Sequence, residues 1–504
     1  MSLPARSAVA VTLLCLAACG SGGGGTQGSL TISPQTASAT IGGPAVTLTA
    51  SLSGSSNPIA WTLSGPGSIA PAQGSSTQYT PPPFGGTPAT VTVTASAGSG
   101  LSASVTVSVA VPASIDVHGM AIGSDTTPVA GVSVTIGTQS ATTDAGGRFT
   151  ISGVTVPYDL TAVATSPASP TSSRKTGVVY QGLTRRDPTI LMVGMARLPR
   201  RATLTGNVTG ANPVGVAGDV TRLIIGSPQI PFWLVNDVET NVTSNPYTLH
   251  PSWVGQDTTT GTIHVLQWQQ DGGLPVSYSG YASVPGITLS ADAGTVASDA
   301  VLSAPPASTI AGTIQLAPSL TRFSQLVAIV FPGAVPTFLG SDTPTASFAY
   351  PFPNVAGATA TLVASAGDTG SSSYSSAQLT GIAPGTTNVL VSLPPAPKPV
   401  APVDHTTGVG STTDFTWTPM NGTVYEFLVI NPSALYVTFT SATTARIPDL
   451  SAQGLELSGK SSWDVNAYGP VGSVDELAGV ALAHLLGTDS YFGGTTAPRD
   501  FTNP

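Results

Sequence analysis

Charge is scarce in this sequence. Only 8% of its 504 residues are Asp, Glu, Lys or Arg, against roughly 25% in an ordinary globular protein. Glu occurs four times, Lys three times and Met five times. With so few good helix formers, amphipathic helices are excluded as the main architecture. Cysteine is confined to positions 15 and 19, so no disulfide can staple the rest of the chain, which must hold by packing alone. The net charge of −9 leaves no overall basic footprint for nucleic acid. No Gly-x-Ser-x-Gly elbow occurs, which disfavours that class of serine hydrolase. The five His residues (118, 250, 264, 405 and 484) show no metal spacing and no His-Glu-x-x-His, and no Asp-x-Asp calcium loop is present. No cofactor is expected.

What is abundant suits strands and turns. Gly is 57 and Pro 44, and 41% of residues are hydrophobic, with many Ser, Thr and Val between them. The apolar residues alternate with polar ones, so they can bury cores instead of leaving a disordered stalk. The expected fold class is all-β, a tandem array of antiparallel β-sandwich domains.

The first residues carry an address. Arg6 is followed by an apolar run, Ala8 to Ala18, about half the length that crosses a bilayer, as in a secretory signal. Leu16-Ala17-Ala18-Cys19 resembles a lipobox, the motif of bacterial lipoproteins. The resemblance implies cleavage before Cys19, acyl chains on Cys19 and an array fixed in a membrane behind a lipidated N-terminus. The run Gly20-Ser21-Gly22-Gly23-Gly24-Gly25 reads as a flexible tether. Gly20, in place of Asp, implies by the same resemblance the outer membrane of a Gram-negative bacterium, with a periplasmic or surface-exposed array.

After the signal (1–18) and tether (19–28), five domains are expected. In 29–112, Val46, Leu48, Ala50 and Leu52, then Ile59, Trp61 and Leu63, then Val105, Val107, Val109 and Val111 alternate with polar residues. This is the pattern of a sandwich, and its central Trp strand resembles bacterial immunoglobulin-like domains. In 113–195, Gly131-Val132-Ser133-Val134-Thr135-Ile136 and Asp144-Ala145-Gly146-Gly147-Arg148-Phe149-Thr150-Ile151 resemble the carboxypeptidase regulatory-like, transthyretin-related family, an accessory module without catalysis. Residues 199–306 and 307–395 read as a divergent repeat. Leu204-Thr205-Gly206-Asn207-Val208 matches Ile310-Ala311-Gly312-Thr313-Ile314, and Ser277-Tyr278-Ser279 matches Ser373-Tyr374-Ser375. Val117-His118-Gly119 opens the preceding module in the same way. After a stiff Pro394–Pro402 linker, 396–504 resembles fibronectin type III-like modules through Phe415-Thr416-Trp417, Tyr425-Glu426-Phe427 and Trp463-Asp464-Val465-Asn466-Ala467-Tyr468. Residues 471–496 read as an insertion, with a short helix expected between Asp475 and Leu486.

Two clusters are candidate binding residues. Phe232, Trp233, Trp253, Trp268 and Tyr278 concentrate large aromatics in one module; they fill a core or stack on sugar rings. Arg174, Lys175, Arg185, Arg186, Arg197, Arg200 and Arg201 are seven of the fifteen basic residues, within 28 positions. They mark a solvated junction or a contact with anionic headgroups or an acidic polysaccharide. Two further patterns are weak. Gly454 to Ser461 fits the phosphate-loop pattern but leads into strand-like alternation where that loop needs a helix. Asp237 and Glu239 would share a strand face. The expectation is a non-enzymatic envelope lipoprotein presenting modules for adhesion, scaffolding or assembly. Its partners would be a membrane, through the lipid on Cys19, and an envelope protein or polysaccharide, with no nucleic acid. The alternatives are a polysaccharide or cell-wall binding protein and, behind it, an extracellular hydrolase.

Overall fold

The computed structural model describes residues 28–98, 100–169, 172–195, 200–210, 219–226, 246–291, 295–334, 336–343, 346–479 and 489–503. Cys19, Arg197, Phe232, Trp233, Asp237 and Glu239 lie outside them. The regular structure of the described residues is nearly all strand, as the composition requires, and they fall into two compact units.

The first unit is a sandwich of two four-stranded sheets. Its alternating residues meet in one core, including Leu48, Trp61, Tyr79, Val91, Val93, Val105 and Val107. The polar ends of the large aromatics are satisfied. Trp61 Nε1 donates to the Gly74 carbonyl at 2.8 Å and the Tyr79 hydroxyl to that of Pro66 at 2.9 Å.

The second unit contains 112–504. Within it, one strand arrangement occurs three times. Ser114–Gly123 pairs antiparallel with Arg148–Thr155 and parallel with Thr189–Met192. Thr203–Gly210 does the same with Pro246–Leu249 and Ala300–Leu302, and Ala307–Leu316 with Ser347–Pro353 and Val389–Leu393. The shared glycine of the three opening motifs has a steric cause. A Cβ on Gly206 would strike the Ser298 carbonyl, one on Gly312 that of Val389, and one on Gly119 that of Pro188. In each case the backbone arriving alongside leaves no room for a side chain.

The second sheets of these modules do not stay apart. Twelve strands follow one hydrogen-bonded path in a 14-stranded sheet. In chain order they are β1 (Ser133–Ile136), β2 (Gln139–Thr142), β3 (Tyr158–Ser169), β4 (Ser172–Leu183), β5 (Leu320–Val330), β6 (Thr337–Asp342), β7 (Thr359–Asp368), β8 (Tyr374–Ile382), β9 (Val424–Ile430), β10 (Ala434–Thr440), β11 (Lys460–Gly469) and β12 (Tyr491–Thr495). The spatial order is β2-β1-β3-β4-β10-β9-β11-β12-β8-β7-β5-β6. Segment 396–504 therefore sits as a keystone. Its β10 pairs in parallel with β4, Val178 opposite Val437 and Tyr180 opposite Phe439. Its β12 pairs antiparallel with β8, Tyr374 opposite Thr495. Part of the Pro-rich linker is itself a strand, Pro399–Ala401, paired with Phe415–Trp417.

Secondary layers cover this sheet on alternating sides. Phe427, Val429, Trp463 and Val465 point to one face and pack with Phe415 and Trp417. Val327, Leu362, Ala364 and Ala377 point the same way and pack with Ile310, Phe352 and Val391, joined there by Ile224, Leu266 and Trp268 of 199–306. On the opposite face Val178, Tyr180, Val437, Phe439 and Val424 pack with Val117, Phe149 and Ile190. The short helix α1 (Val474–Leu477) closes that core with Val474 and Leu477. The Ser473 hydroxyl caps α1 by accepting from Glu476 N at 3.1 Å, and Glu476 Oε2 accepts from Gly472 N at 2.7 Å. Asp475 fastens the helix to the end of β4. Its carboxylate accepts from Thr184 N at 2.7 Å, Thr184 Oγ1 at 2.6 Å and Arg185 N at 3.0 Å, while Arg185 Nη1 donates to the Asp475 carbonyl at 2.6 Å.

Candidate binding surface

Beyond β9, the face of the sheet that carries the Val178 core turns from apolar to polar. Strand alternation and register place Ser462, Asp464, Asn466 and Tyr468 of β11, Tyr491 and Thr495 of β12, and Tyr374, Ser376 and Gln378 of β8 on one face. It is the face that carries the Val178 core at its other end, beyond β9. Tyr374 is 40% exposed; Ser376, Ser462, Asp464, Asn466, Tyr468, Tyr491 and Thr495 are half-buried, and Gln378 is buried.

The polar groups here hold one another. Glu426 of β9, buried at the inner end, accepts from the Tyr468 hydroxyl at 2.7 Å and from Asn466 Nδ2 at 3.0 Å. Thr495 Oγ1 donates to Asn466 Oδ1 at 2.7 Å, and Gln378 Nε2 donates to the Asp489 carbonyl at 3.0 Å. Burial raises the Glu426 carboxyl above the usual range against the pull of its two donors. The Tyr491 hydroxyl is raised by burial and by neighbouring Tyr374. Burial, and then the Glu426 charge, push Asp464 up to about 6.

The Asp464 shift has a testable sign. Its folded value lies above the ordinary 3.8, so the folded state holds the proton more tightly and stability falls as pH rises from about 4 to 6. Asp464→Asn is expected to stabilise the full chain by about 1–3 kcal/mol at pH 7.5 and to add little at pH 4, read from urea unfolding at both values. An equal gain at both would contradict the assignment.

The residues singled out in the sequence lie elsewhere. Trp253 and Trp268 are 0% exposed and fill two different cores, so neither is a platform for a ligand. Tyr278 is half-buried against the second of these cores, its hydroxyl donating to the Pro351 carbonyl at 3.4 Å. Of the basic residues, Arg174 and Lys175 lie where the β4–β10 pairing brings loop carbonyls within reach, and Arg197 is outside the described residues. Arg174 Nη2 donates to the carbonyls of Asn431 and Ala434, each at 3.0 Å. Lys175 Nζ donates to those of Gln453 and Gly454 at 3.3 and 3.0 Å. Arg185 is buried on Asp475, and its Nη2 pairs with Asp187 at 2.9 Å. Arg186 is half-buried. Arg200 bonds Asp257 at 2.6 Å, with exposed Arg201 beside it in the same short strand. The phosphate-loop match runs from Gly454 straight into β11 at Lys460, with no helix to present its amides.

Sequence reasoning quoted Trp463-Asp-Val-Asn-Ala-Tyr as a family likeness and passed over what it encodes. Asp464, Asn466 and Tyr468 are polar at period two beside an apolar row, the mark of a strand with one apolar and one polar face. Tyr374 carried no such signal beyond its match to Tyr278. Among the described residues there is no group of three or more His, Cys, Asp or Glu placed to hold a metal, and no helix long and apolar enough to cross a membrane.

No family model matches the chain, and no curated protein matches it in sequence. Among solved structures it is similar to the Bacillus anthracis TIE protein, at 7% identity over 73% of this chain and 75% of that one, with a TM-score of 0.16. It is similar to a streptococcal ancillary pilin at 8% identity over 56% and 99%, TM-score 0.14. The shaft pilin SpaA of Lactobacillus rhamnosus GG follows at 9% identity over 39% and 97%, TM-score 0.13.

Proposed function

We propose that this protein is a non-enzymatic cell-envelope lipoprotein, anchored through Cys19, that presents a stiff all-β platform for adhesion or assembly. The observation that supports this most is the keystone sheet. Segments 113–195, 307–395 and 396–504 share one hydrogen-bonded sheet, a construction that holds surfaces at fixed spacing. The polar residues described are turned to the same purpose: Arg174, Lys175, Arg185 and Asp475 tie strands and loops together. A hydrolase reading would need two carboxylates free to meet a substrate. On the polar face of β11, Glu426 is buried and engaged by Tyr468 and Asn466, so Asp464 has no free carboxylate beside it there.

Two measurements test the proposal. The full chain, expressed in a Gram-negative host fed alkyne-palmitate, is expected to take up label, and Cys19→Ser to lose it; label retained by Cys19→Ser refutes the anchor. Proteinase K added to intact cells is expected to cut the platform from the surface. Fragments released only after lysis would refute display.

A further inference from the structure

We propose that His264 is a pH-sensitive latch between segments 199–306 and 307–395, and that protonation of its ring loosens one from the other. The inference goes beyond the anchored platform and does not depend on the lipid.

The latch stands where two modules meet. Asp219–Gly226, Thr258–Asp271 and Leu274–Ser290 form one antiparallel sheet. Register places Arg222, Ile224, His264, Leu266, Trp268 and Tyr281 on one of its faces. Ile224, Leu266 and Trp268 share a core with Ile310, Phe331 and Phe352 of 307–395. His264 is 3% exposed. Phe331, which follows β5, lies flat on the imidazole, with ring centroids 4.4 Å apart and planes 7° apart. The Tyr281 ring stacks beside them, 5.5 Å from that of Phe331, and its hydroxyl is 3.0 Å from His264 Nδ1. Nε2 of the same imidazole is buried with no hydrogen-bond partner among the described residues. A ring of one module thus rests face to face on a titratable ring of the other.

A neutral imidazole suits this place and a charged one does not. Neutral, it can donate from Nδ1 to the Tyr281 hydroxyl and leave only a lone pair at Nε2. Protonated, it carries an N–H at both nitrogens, and the one at Nε2 is buried without an acceptor. The Phe331 face attracts a cation, but a parallel ring offers nothing to an N–H that points along its own plane. The described charged and titratable groups do not compensate. Arg222, opposite Leu266 on the same sheet face, is a second cation. Tyr278 and Tyr281, from Leu274–Ser290, are both raised by burial and keep their protons. From 307–395, Asp342 is engaged by Thr343 N at 2.6 Å and by the Tyr350 hydroxyl at 3.5 Å. Burial accordingly holds the His264 ring down at about 4, against the ordinary 6.5. The value in the closed joint lies below the ordinary one, so closing expels the proton. The joint is firm above about pH 6.5 and weakens as the pH falls toward 4.

The test uses the full chain in two measurements. Carbon-13 labelling at histidine Cε1 gives one NMR signal per ring, and His264→Phe, which keeps a flat ring in the stack, identifies the signal of His264. That signal is expected to titrate near pH 4; a midpoint at 6 or above overturns the latch. Opening is read from the thiol of Ile224→Cys, buried in register with His264. Its rate of reaction with dithiodipyridine is followed by mass spectrometry of its own peptide and normalised at each pH to the same chain in urea. With ring values of about 4 closed and 6.5 open, the rate is expected to rise about seventyfold between pH 7.5 and pH 4.5. With His264→Phe added, the rate is expected to change little. Equal rises with and without His264 overturn the latch, and so does a rate that stays level in both. The NMR titration needs no cysteine, so it decides the matter even if Ile224→Cys fails to fold. Neither measurement bears on palmitate labelling, so failure here and failure of the anchor are separable.

Discussion

Asp475→Ala is expected to cost about 3–5 kcal/mol of stability, because it strips acceptors from buried donors instead of removing a surface contact. The lost carboxylate leaves Thr184 N, Thr184 Oγ1 and Arg185 N unpaired at the end of β4. It also loosens α1, whose Val474 and Leu477 close the core shared by segments 113–195 and 396–504. The loss should therefore appear in both segments at once. Hydrogen exchange is expected to show β4 and β10 losing protection together in this variant. Asp475→Asn keeps an oxygen for the two backbone N–H groups and is expected to cost only about 1 kcal/mol. If the alanine variant unfolds at the parent's urea midpoint, the clasp contributes nothing.

The second large effect is expected from Trp268→Ala, at about 3–5 kcal/mol. Trp268 is fully buried where 199–306 meets 307–395, in one cluster with Leu266, Ile310, Phe348 and Phe352. The Arg222 guanidinium lies over its ring, 5.3 Å from the centroid. Removing the indole leaves a cavity that two modules must share. Limited proteolysis is expected to cut 199–306 first, since the neighbouring module retains the rest of its core on the keystone sheet. A Trp268→Ala protein as stable as the parent would contradict this core role.

The sequence showed its modules more clearly than the joints between them, and the reason is physical. Alternation at Val46, Leu48 and Ala50 was readable because each residue answers to one core. The Gly119, Gly206 and Gly312 motif was readable because a passing carbonyl forbids a side chain at the same place three times. The β4–β10 pairing has no such mark, since parallel edge pairing uses backbone groups that every residue carries. One hint was present. Ala434–Thr440 is buried at every position, and a strand with layers on both sides loses its alternation. For the basic cluster, spacing along a chain does not say whether a guanidinium ends in solvent, as at Arg201, or on a carbonyl, as at Arg174. The polar face of β8, β11 and β12 was hidden for a related reason: it exists only because three distant strands pair side by side, which no single strand encodes.

The join between β4 and β10 also sets an order of events. Its partners, such as Val178 and Val437, are 259 positions apart in the chain (437 less 178), and contacts so distant are slow to form. In a polypeptide made from its N-terminus, β4 is finished long before β10 exists, and its outer edge stands bare through the synthesis of everything between. Unpaired edges of this kind recruit other strands. A chain halted before residue 434 is thus a sticky intermediate, and maturation depends on β9 to β12 arriving before a neighbouring copy does.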